Sequence, residues 1–319
     1  MTSILLVKTS SLGDVIQNLP VVTDIMRYVT APEIDWVVEE AFAAIPALHP
    51  GVRRIIPVAT RRWRKGLASQ AVWSDFSAFR RHLQETTYDV VLDTQGLIKS
   101  GFIAWLARGT RYGYDRHSAW EPLATLSYDR TFPVSPHLHA VVRNRSLAAQ
   151  AFGYTASDAV DYGIATPFLV PAWLASGPYA VLLHATSRRD KAWPVASWVE
   201  LGKNLDSRGI RCVLPGGSEA ELEAARALAA AIPNAIAPDV MPLAAVAALL
   251  AHASVVVGVD TGLTHLAAAL DAPVVGLYCA TEPAENGVYA GDRAINLGGK
   301  GKPPEVDEVL AQVARLAAA

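Results

Sequence analysis

Short apolar runs alternate with amphipathic stretches from one end of this chain to the other. Ile4–Lys8, Ile34–Val38, Val52–Val58 and Val90–Asp93 in the first half are dense in Val, Ile and Leu and predict buried strands. Tyr179–His184, Ile210–Leu214, Ser254–Gly258 and Pro273–Tyr278 do the same in the second half. Between them, apolar positions predict helices over Asp14–Tyr28, Phe42–His49, Asp75–Glu85, Leu97–Arg108, Ala140–Phe152, Ser218–Ala231, Leu243–His252, Leu263–Leu270 and Val306–Ala318. A further helix opens at Trp193-Pro194, with proline in its first turn. Such alternation predicts an α/β fold built on parallel sheets with crossover helices. The stretch from Arg111 to Pro136 is less regular.

Breakers cluster from Thr166-Pro167 to Gly177-Pro178, predicting a linker over residues 166–178. It separates an N-terminal domain, residues 1–165, from a C-terminal domain, residues 179–319, whose last helix is expected to be able to pack back on the first domain. A chain of 319 residues fits two domains of roughly 150 each. With 51% hydrophobic and 18% charged residues, it can fill two cores and is not a disordered chain. The net charge is −2, with a slight cationic excess in the first half. Cys212 and Cys279 fall in or beside predicted strands and read as buried thiols, not a disulfide framework or a zinc site. The apolar run Ile4–Val7 is too short for a secretion signal, and no run reaches the ~20 residues that span a bilayer. A cytoplasmic protein, at most peripheral to a membrane, is expected. No basic face or recognition motif points to nucleic acid.

Two strand-to-helix turns carry candidate chemistry. Lys8-Thr9-Ser10-Ser11-Leu12-Gly13-Asp14 follows the first strand, and Asp260-Thr261-Gly262-Leu263-Thr264-His265 follows Ser254–Gly258. Each joins hydroxyls, a glycine and an acid where a helix begins, so free N–H groups can hold phosphate or carboxylate oxygens. One such loop in each half predicts two domains facing each other across a cleft. Asp14 fits a first-turn helix carboxylate, or a general base that takes a proton from an acceptor hydroxyl. Thr261, Gly262, Leu263 and Thr264 offer donors to a diphosphate, and Asp260 can orient that turn. His265 can face the same oxygens or bond within the core. Neither the dinucleotide glycine pattern nor the P-loop is present, which disfavours hydride transfer and P-loop phosphate chemistry.

Three further segments are candidates. His184–Pro194 holds Thr186, Ser187 and Lys191, the lysine being either an exposed loop cation or a charge for a departing diphosphate. Pro215-Gly216-Gly217-Ser218 precedes Glu219 and Glu221, which can bond ribose hydroxyls or simply favour a helix start. Arg61-Arg62-Trp63-Arg64-Lys65 is a solvated basic loop or a patch for a multiply anionic ligand. Gln95 and Lys99, beyond the fourth strand, share the rim of the first loop. No clear metal-ligand spacing occurs.

These motifs, with Trp36-Val37-Val38-Glu39-Glu40 and Asp93-Thr94-Gln95-Gly96-Leu97-Ile98-Lys99-Ser100, resemble those of the bacterial ADP-heptose:lipopolysaccharide heptosyltransferases, in order and over essentially the whole chain. The resemblance implies a GT-B fold of two Rossmann-like domains, the first binding acceptor and the second mainly donor. It implies inverting, metal-independent transfer of L-glycero-D-manno-heptose from ADP-L-glycero-β-D-manno-heptose to the first Kdo of Kdo2-lipid A, with no cofactor. Such an enzyme works at the cytoplasmic face of the bacterial inner membrane, here through basic and aromatic residues such as Trp63 and Trp73. By resemblance, Asp14 is the base, and Lys191 with Thr186 and Ser187 meets the donor phosphates. Asp260, Thr261, Gly262, Leu263 and His265 form the diphosphate turn, and Glu221, flanked by Glu219 and Glu223, meets the ribose. Ser10, Ser11, Gly13, Gln95 and Lys99 line the acceptor side. Arg61, Arg62, Arg64 and Lys65 face Kdo carboxylates and lipid A phosphates.

The chain departs from the family where relatives often read Ala-Arg-Glu-Pro and it has Ala119-Trp120-Glu121-Pro122. It departs again with Cys279-Ala280-Thr281-Glu282-Pro283 in place of Gly-Pro-Thr-Asp-Pro. Competing readings are transfer to a heptose-bearing acceptor, as by heptosyltransferase II, a catalytically silent nucleotide-sugar or lipid A binding protein, and a nucleotide-sugar epimerase.

Overall fold

The structure is a computed structural model that describes residues 1–66, 69–165, 173–174, 177–186 and 188–317. It divides into two compact units, Met1–Ile164 and Ala165–Ala319. Most of the expected linker, residues 166–172 and 175–176, lies outside the described residues, as does Ser187.

The first unit runs β1 (Thr2–Val7), α1 (Leu12–Ile16), α2 (Leu19–Tyr28), β2 (Pro32–Glu39), β3 (Val52–Val58), α3 (Thr60–Trp63), α4 (Gln70–Leu83), β4 (Thr87–Asp93), α5 (Ile98–Leu106), β5 (Arg108–Tyr114), β6 (Arg130–Phe132) and α6 (Ala140–Phe152). The six strands form one parallel sheet in the order β3-β2-β1-β4-β5-β6. Leu5, Val7, Val37, Ile56 and Val91 share a core with Phe79 and Leu83 of α4 and Ile103 of α5. A buried bidentate pair, Arg145 to Asp24 at 2.7 Å and 3.1 Å, ties α6 to α2. The strand order reverses direction between β1 and β4, the kind of switch point where open α/β sheets bind ligands.

The second unit runs β7 (Tyr179–Leu183), α7 (Val195–Ser207), β8 (Arg211–Val213), α8 (Glu219–Ala231), α9 (Leu243–Ala251), β9 (Val255–Val259), α10 (Gly262–Ala269), β10 (Val274–Tyr278), α11 (Pro283–Asn286), β11 (Ala294–Gly298) and α12 (Val306–Ala317). Its five parallel strands are ordered β11-β10-β9-β7-β8. β7, β9 and β10 are buried throughout, as strands covered on both faces must be. The switch point here lies between β7 and β9.

Several expectations need correction. The single helix expected over Asp14–Tyr28 is two, because Pro20 has no N–H to give the carbonyl of Ile16. The helix expected over Phe42–His49 is a pair of short 3₁₀ turns, Glu40–Phe42 and Pro46–Leu48, the second opening on Pro46. β5, β6 and β11 were not expected. They lie at or beside sheet edges, β5 and β6 carry Arg and Thr, and none is buried along most of its length. Val306, Val309, Leu310, Val313 and Leu316 are buried in the second unit's own core, against β9, β10 and α7. Cys212 and Cys279 are buried and unpaired.

Candidate active site

In the first unit, the loops after β1 and β4 are stitched together at the switch point. Gln95 Oε1 accepts from Thr9 N and Thr9 Oγ1, both at 2.8 Å, and Gln95 Nε2 donates to Ser10 O. Lys8, buried, donates from Nζ to Thr94 O at 2.9 Å. Burial lowers the pKa of its ammonium, against the pull of Asp14 and Asp93. Lys99 Nζ donates to Ser10 Oγ at 2.6 Å. Burial lowers its pKa too, and Arg64 and Arg61 lower it further, against Glu39 and Asp14.

Asp14 stands at the third position of α1, with Ser11 as the cap. Its Oδ2 accepts from Ser11 N and Ser11 Oγ, each at 2.7 Å, closing a capping box. The helix-start reading and the base reading are therefore compatible. Oδ2 is committed to the turn, while Oδ1 takes no hydrogen bond among the described residues. Ser10, Ser11, Gly13, Gln95, Lys99 and Asp14 thus belong to one loop cluster.

The basic segment is less uniform than its sequence. Arg62 is held by Glu40 at 3.2 Å and by Asp75, so its charge is already answered. Arg61 lies over Phe42, 5.0 Å from the ring centre. Arg64 lines an open cavity of about 580 Å³ with Leu97, Ile98, Lys99, Phe102 and Glu121. Lys65 is exposed. Glu39, which the sequence reading gave no role, anchors this segment: buried at the end of β2, it accepts from Thr60 Oγ1 at 2.7 Å and Arg61 N at 3.0 Å. Trp63 is half-buried, its ring packing edge-on against Phe76 and Phe79, each at 5.6 Å. Trp73, Phe102 and Trp105 are exposed, and Phe76 links them into a ladder with centre distances of 6.2, 6.4 and 5.9 Å.

In the second unit, the residues after β7, β9 and β10 converge on Asp260. Its Oδ2 accepts from Lys191 Nζ and Thr281 Oγ1, both at 2.7 Å, and His265 Nε2 stands 3.9 Å from Oδ1. Burial alone would raise the Asp260 pKa, but His265, Lys191 and Thr281 together hold it well below the usual carboxylate range. Thr281 comes from the stretch that departs from the family pattern, and only the fold reveals its contact. Thr261 caps α10, whose first amides, Gly262 and Leu263, have no preceding turn to bond. Thr264 Oγ1 instead donates back to Val259 O at 2.7 Å, locking helix to strand. Thr186 Oγ1 is buried with no hydrogen-bond partner among the described residues. Glu221 Oε2 accepts from Gly217 N at 2.8 Å, while Glu219 and Glu223 are exposed.

A Lys191 ammonium has three donors, one of which Asp260 uses. The other two, with the α10 amides, suit phosphate oxygens. Among the described residues, no group of three or more His, Cys, Asp or Glu could hold a metal ion, and no helix is long and apolar enough to cross a membrane.

Residues 76–311 match the model of glycosyltransferase family 9 (heptosyltransferase). The chain is 48% identical over 303 residues to lipopolysaccharide heptosyltransferase 1 of Pseudomonas aeruginosa, covering 92% of this chain and 83% of that one. It superposes with a TM-score of 0.92 on E. coli heptosyltransferase WaaC solved with ADP, at 41% identity, over 99% of this chain and 100% of that one. WaaC with ADP-2-deoxy-2-fluoro heptose gives 0.85 at 42% identity, over 98% of each chain. Fold and relatives define a glycosyltransferase of the GT-B class, as the sequence motifs implied. The chain belongs to glycosyltransferase family 9, the heptosyltransferases.

Proposed function

We propose that this protein transfers L-glycero-D-manno-heptose from ADP-heptose to the first Kdo of Kdo2-lipid A, in synthesis of the lipopolysaccharide inner core. The observation that carries the donor assignment is the Lys191–Asp260–Thr281–His265 cluster at the β7/β9 switch point, in a chain that superposes on a heptosyltransferase bound to ADP. The second unit holds the donor. Lys191, Thr186 and Ser187 meet its phosphates, the Thr261–Leu263 turn meets the diphosphate, Asp260 and His265 fix that turn, and Glu221 meets the ribose.

The first unit holds the acceptor. Asp14 Oδ1 takes the proton of the attacking hydroxyl as the oxygen attacks the anomeric carbon opposite ADP, giving inversion. Negative charge gathers on the departing diphosphate, where Lys191 and the α10 amides lower its energy. Lys99, Gln95 and Ser10 position the acceptor, with Ser11 and Gly13 shaping the turn. Arg61, Arg64 and Lys65 face its anionic groups, and Arg62 braces the segment between Glu40 and Asp75. No metal or other cofactor enters this scheme. The ladder of exposed rings on α4 and α5, beside the Arg64–Lys99 cavity, supports reversible contact with the cytoplasmic face of the inner membrane.

The test is ADP release from ADP-heptose in EDTA, with and without Kdo2-lipid A, together with the mass of the acceptor. Release that requires the acceptor, with a gain of one heptose, is the expected result. Release only with a heptose-bearing acceptor would overturn the Kdo assignment, and binding of donor without any transfer would overturn the enzymatic reading of this chain.

A further inference from the structure

Arg143 is a charged group that the reaction as written leaves unused. It sits on α6, only 3% exposed, yet forms no ion pair with a carboxylate among the described residues. One terminal nitrogen donates to Ser118 O at 2.6 Å, and its Nε is buried without a hydrogen-bond partner among the described residues. The guanidinium carbon lies 5.0 Å from the ring centre of Tyr114 and 4.3 Å from that of Trp120. Burying a cation without a counter-charge is costly, and a planar guanidinium is well matched to a carboxylate.

Trp120 is 62% exposed, and its side chain makes no hydrogen bond among the described residues. Its chain segment is fastened to the acceptor-side loops: Glu121 N donates to Gly96 O at 3.1 Å, and Glu121 Oε2 accepts from Ile98 N at 2.6 Å. Asn144 Oδ1 accepts from Tyr114 OH at 3.1 Å and from Lys8 Nζ at 3.4 Å, so polar contacts run from the Arg143 surroundings to the loop that bears Asp14.

We propose that Arg143 and Trp120 form a subsite for the carboxylate-bearing sugar of the acceptor. Rotation of the Trp120 side chain uncovers the guanidinium for the carboxylate and lays the indole against the apolar face of the sugar ring. This rests on the acidic-sugar acceptor proposed above.

The test compares wild type, Arg143→Gln, Trp120→Ala and Trp120→Phe for acceptor KM, kcat and ADP affinity, with thermal melting as the control for folding. Arg143→Gln and Trp120→Ala should raise acceptor KM by at least about tenfold while leaving ADP affinity unchanged, and Trp120→Phe should stay near wild type. An acceptor whose first sugar carries a carboxamide should cost wild type as much as Arg143→Gln does, and should cost that variant nothing more. Folded variants with wild-type acceptor KM, or equal carboxamide losses in both proteins, overturn the subsite. If Arg143→Gln does not fold, Trp120→Ala, a change at an exposed side chain, decides.

Failure of the transfer reading itself is told apart by binding of free Kdo, followed through tryptophan fluorescence. A response of wild type that Trp120→Phe and Arg143→Gln abolish would keep the subsite in the absence of transfer. No response in a wild type that also fails to transfer would remove both.

Discussion

Asp260 never touches a reacting bond in this account, yet side chains from two other loops and one from α10 meet on it. Lys191 is 69 residues away in sequence and Thr281 is 21 residues away, both bonded to the same carboxylate oxygen. The pair fixes the ammonium, and the proposal gives its other two donors to the diphosphate. Lys191→Ala should therefore weaken ADP binding and lower kcat by about 10²–10³-fold, with melting temperature little changed, since the pair is only partly buried. Wild-type kcat in that variant would remove Lys191 from leaving-group stabilisation. At this scale the sequence exposes residues that announce their chemistry by position: Asp14 at a helix start, Asp260 at a strand end, His265 one turn on. It does not expose Glu39, Thr281 or Arg143, whose roles come from partners brought close only by the sheet order.

Elements are held in register by close approaches that tolerate little change. A Cβ on Gly258 would lie 2.3 Å from Thr264 Oγ1 and 3.0 Å from Leu183 Cβ, so β9, α10 and β7 meet there. Gly258→Ala should destabilise the protein by about 1–3 kcal/mol in urea unfolding and loosen the diphosphate turn. Adding Thr264→Ala should recover part of the loss, whereas no recovery would place the strain elsewhere.

The turn before β3 carries a different sensitivity. His49 Nδ1 accepts from Gly51 N at 3.0 Å and Nε2 faces Thr23 Oγ1 at 3.0 Å, which suits the neutral ring. Burial pushes its pKa from 6.5 down to about 4. The unfolded chain therefore takes up this proton first. The stability contribution is complete above pH 6.5 and is lost as pH falls from 6.5 towards 4, by roughly 3 kcal/mol at most. His49→Gln should flatten that part of the stability curve; an unchanged slope would contradict the assignment.

Element type was readable wherever burial imposes a long apolar run, as in β7, β9 and β10. It was not readable at β5, β6 and β11, where one-sided exposure erases the pattern, nor at Pro20 and Pro46, where a missing N–H cuts a continuous period.

At the scale of the whole chain, each of the two units has its own switch point and its own loop cluster, and the proposal gives acceptor to the first and donor to the second. The alternation of strands and helices made two α/β units legible, whereas the placement of the aromatic side chains was not legible: Trp63 at the end of α3 is half-buried against Phe76 and Phe79, while Phe102 and Trp105 of α5 are exposed. Cosedimentation with vesicles containing phosphatidylglycerol should detect membrane contact that weakens as salt rises and falls sharply in a Phe102→Ser/Trp105→Ser double variant. Equal binding by the double variant would remove the ladder from the contact.

The most direct test of the two-unit account is Asp14→Asn, measured for heptose transfer and for ADP affinity in the same preparation. The account predicts transfer reduced by about 10²–10⁴-fold with ADP affinity unchanged, since the base belongs to the acceptor unit and the nucleotide to the donor unit. Transfer at the wild-type rate would contradict it.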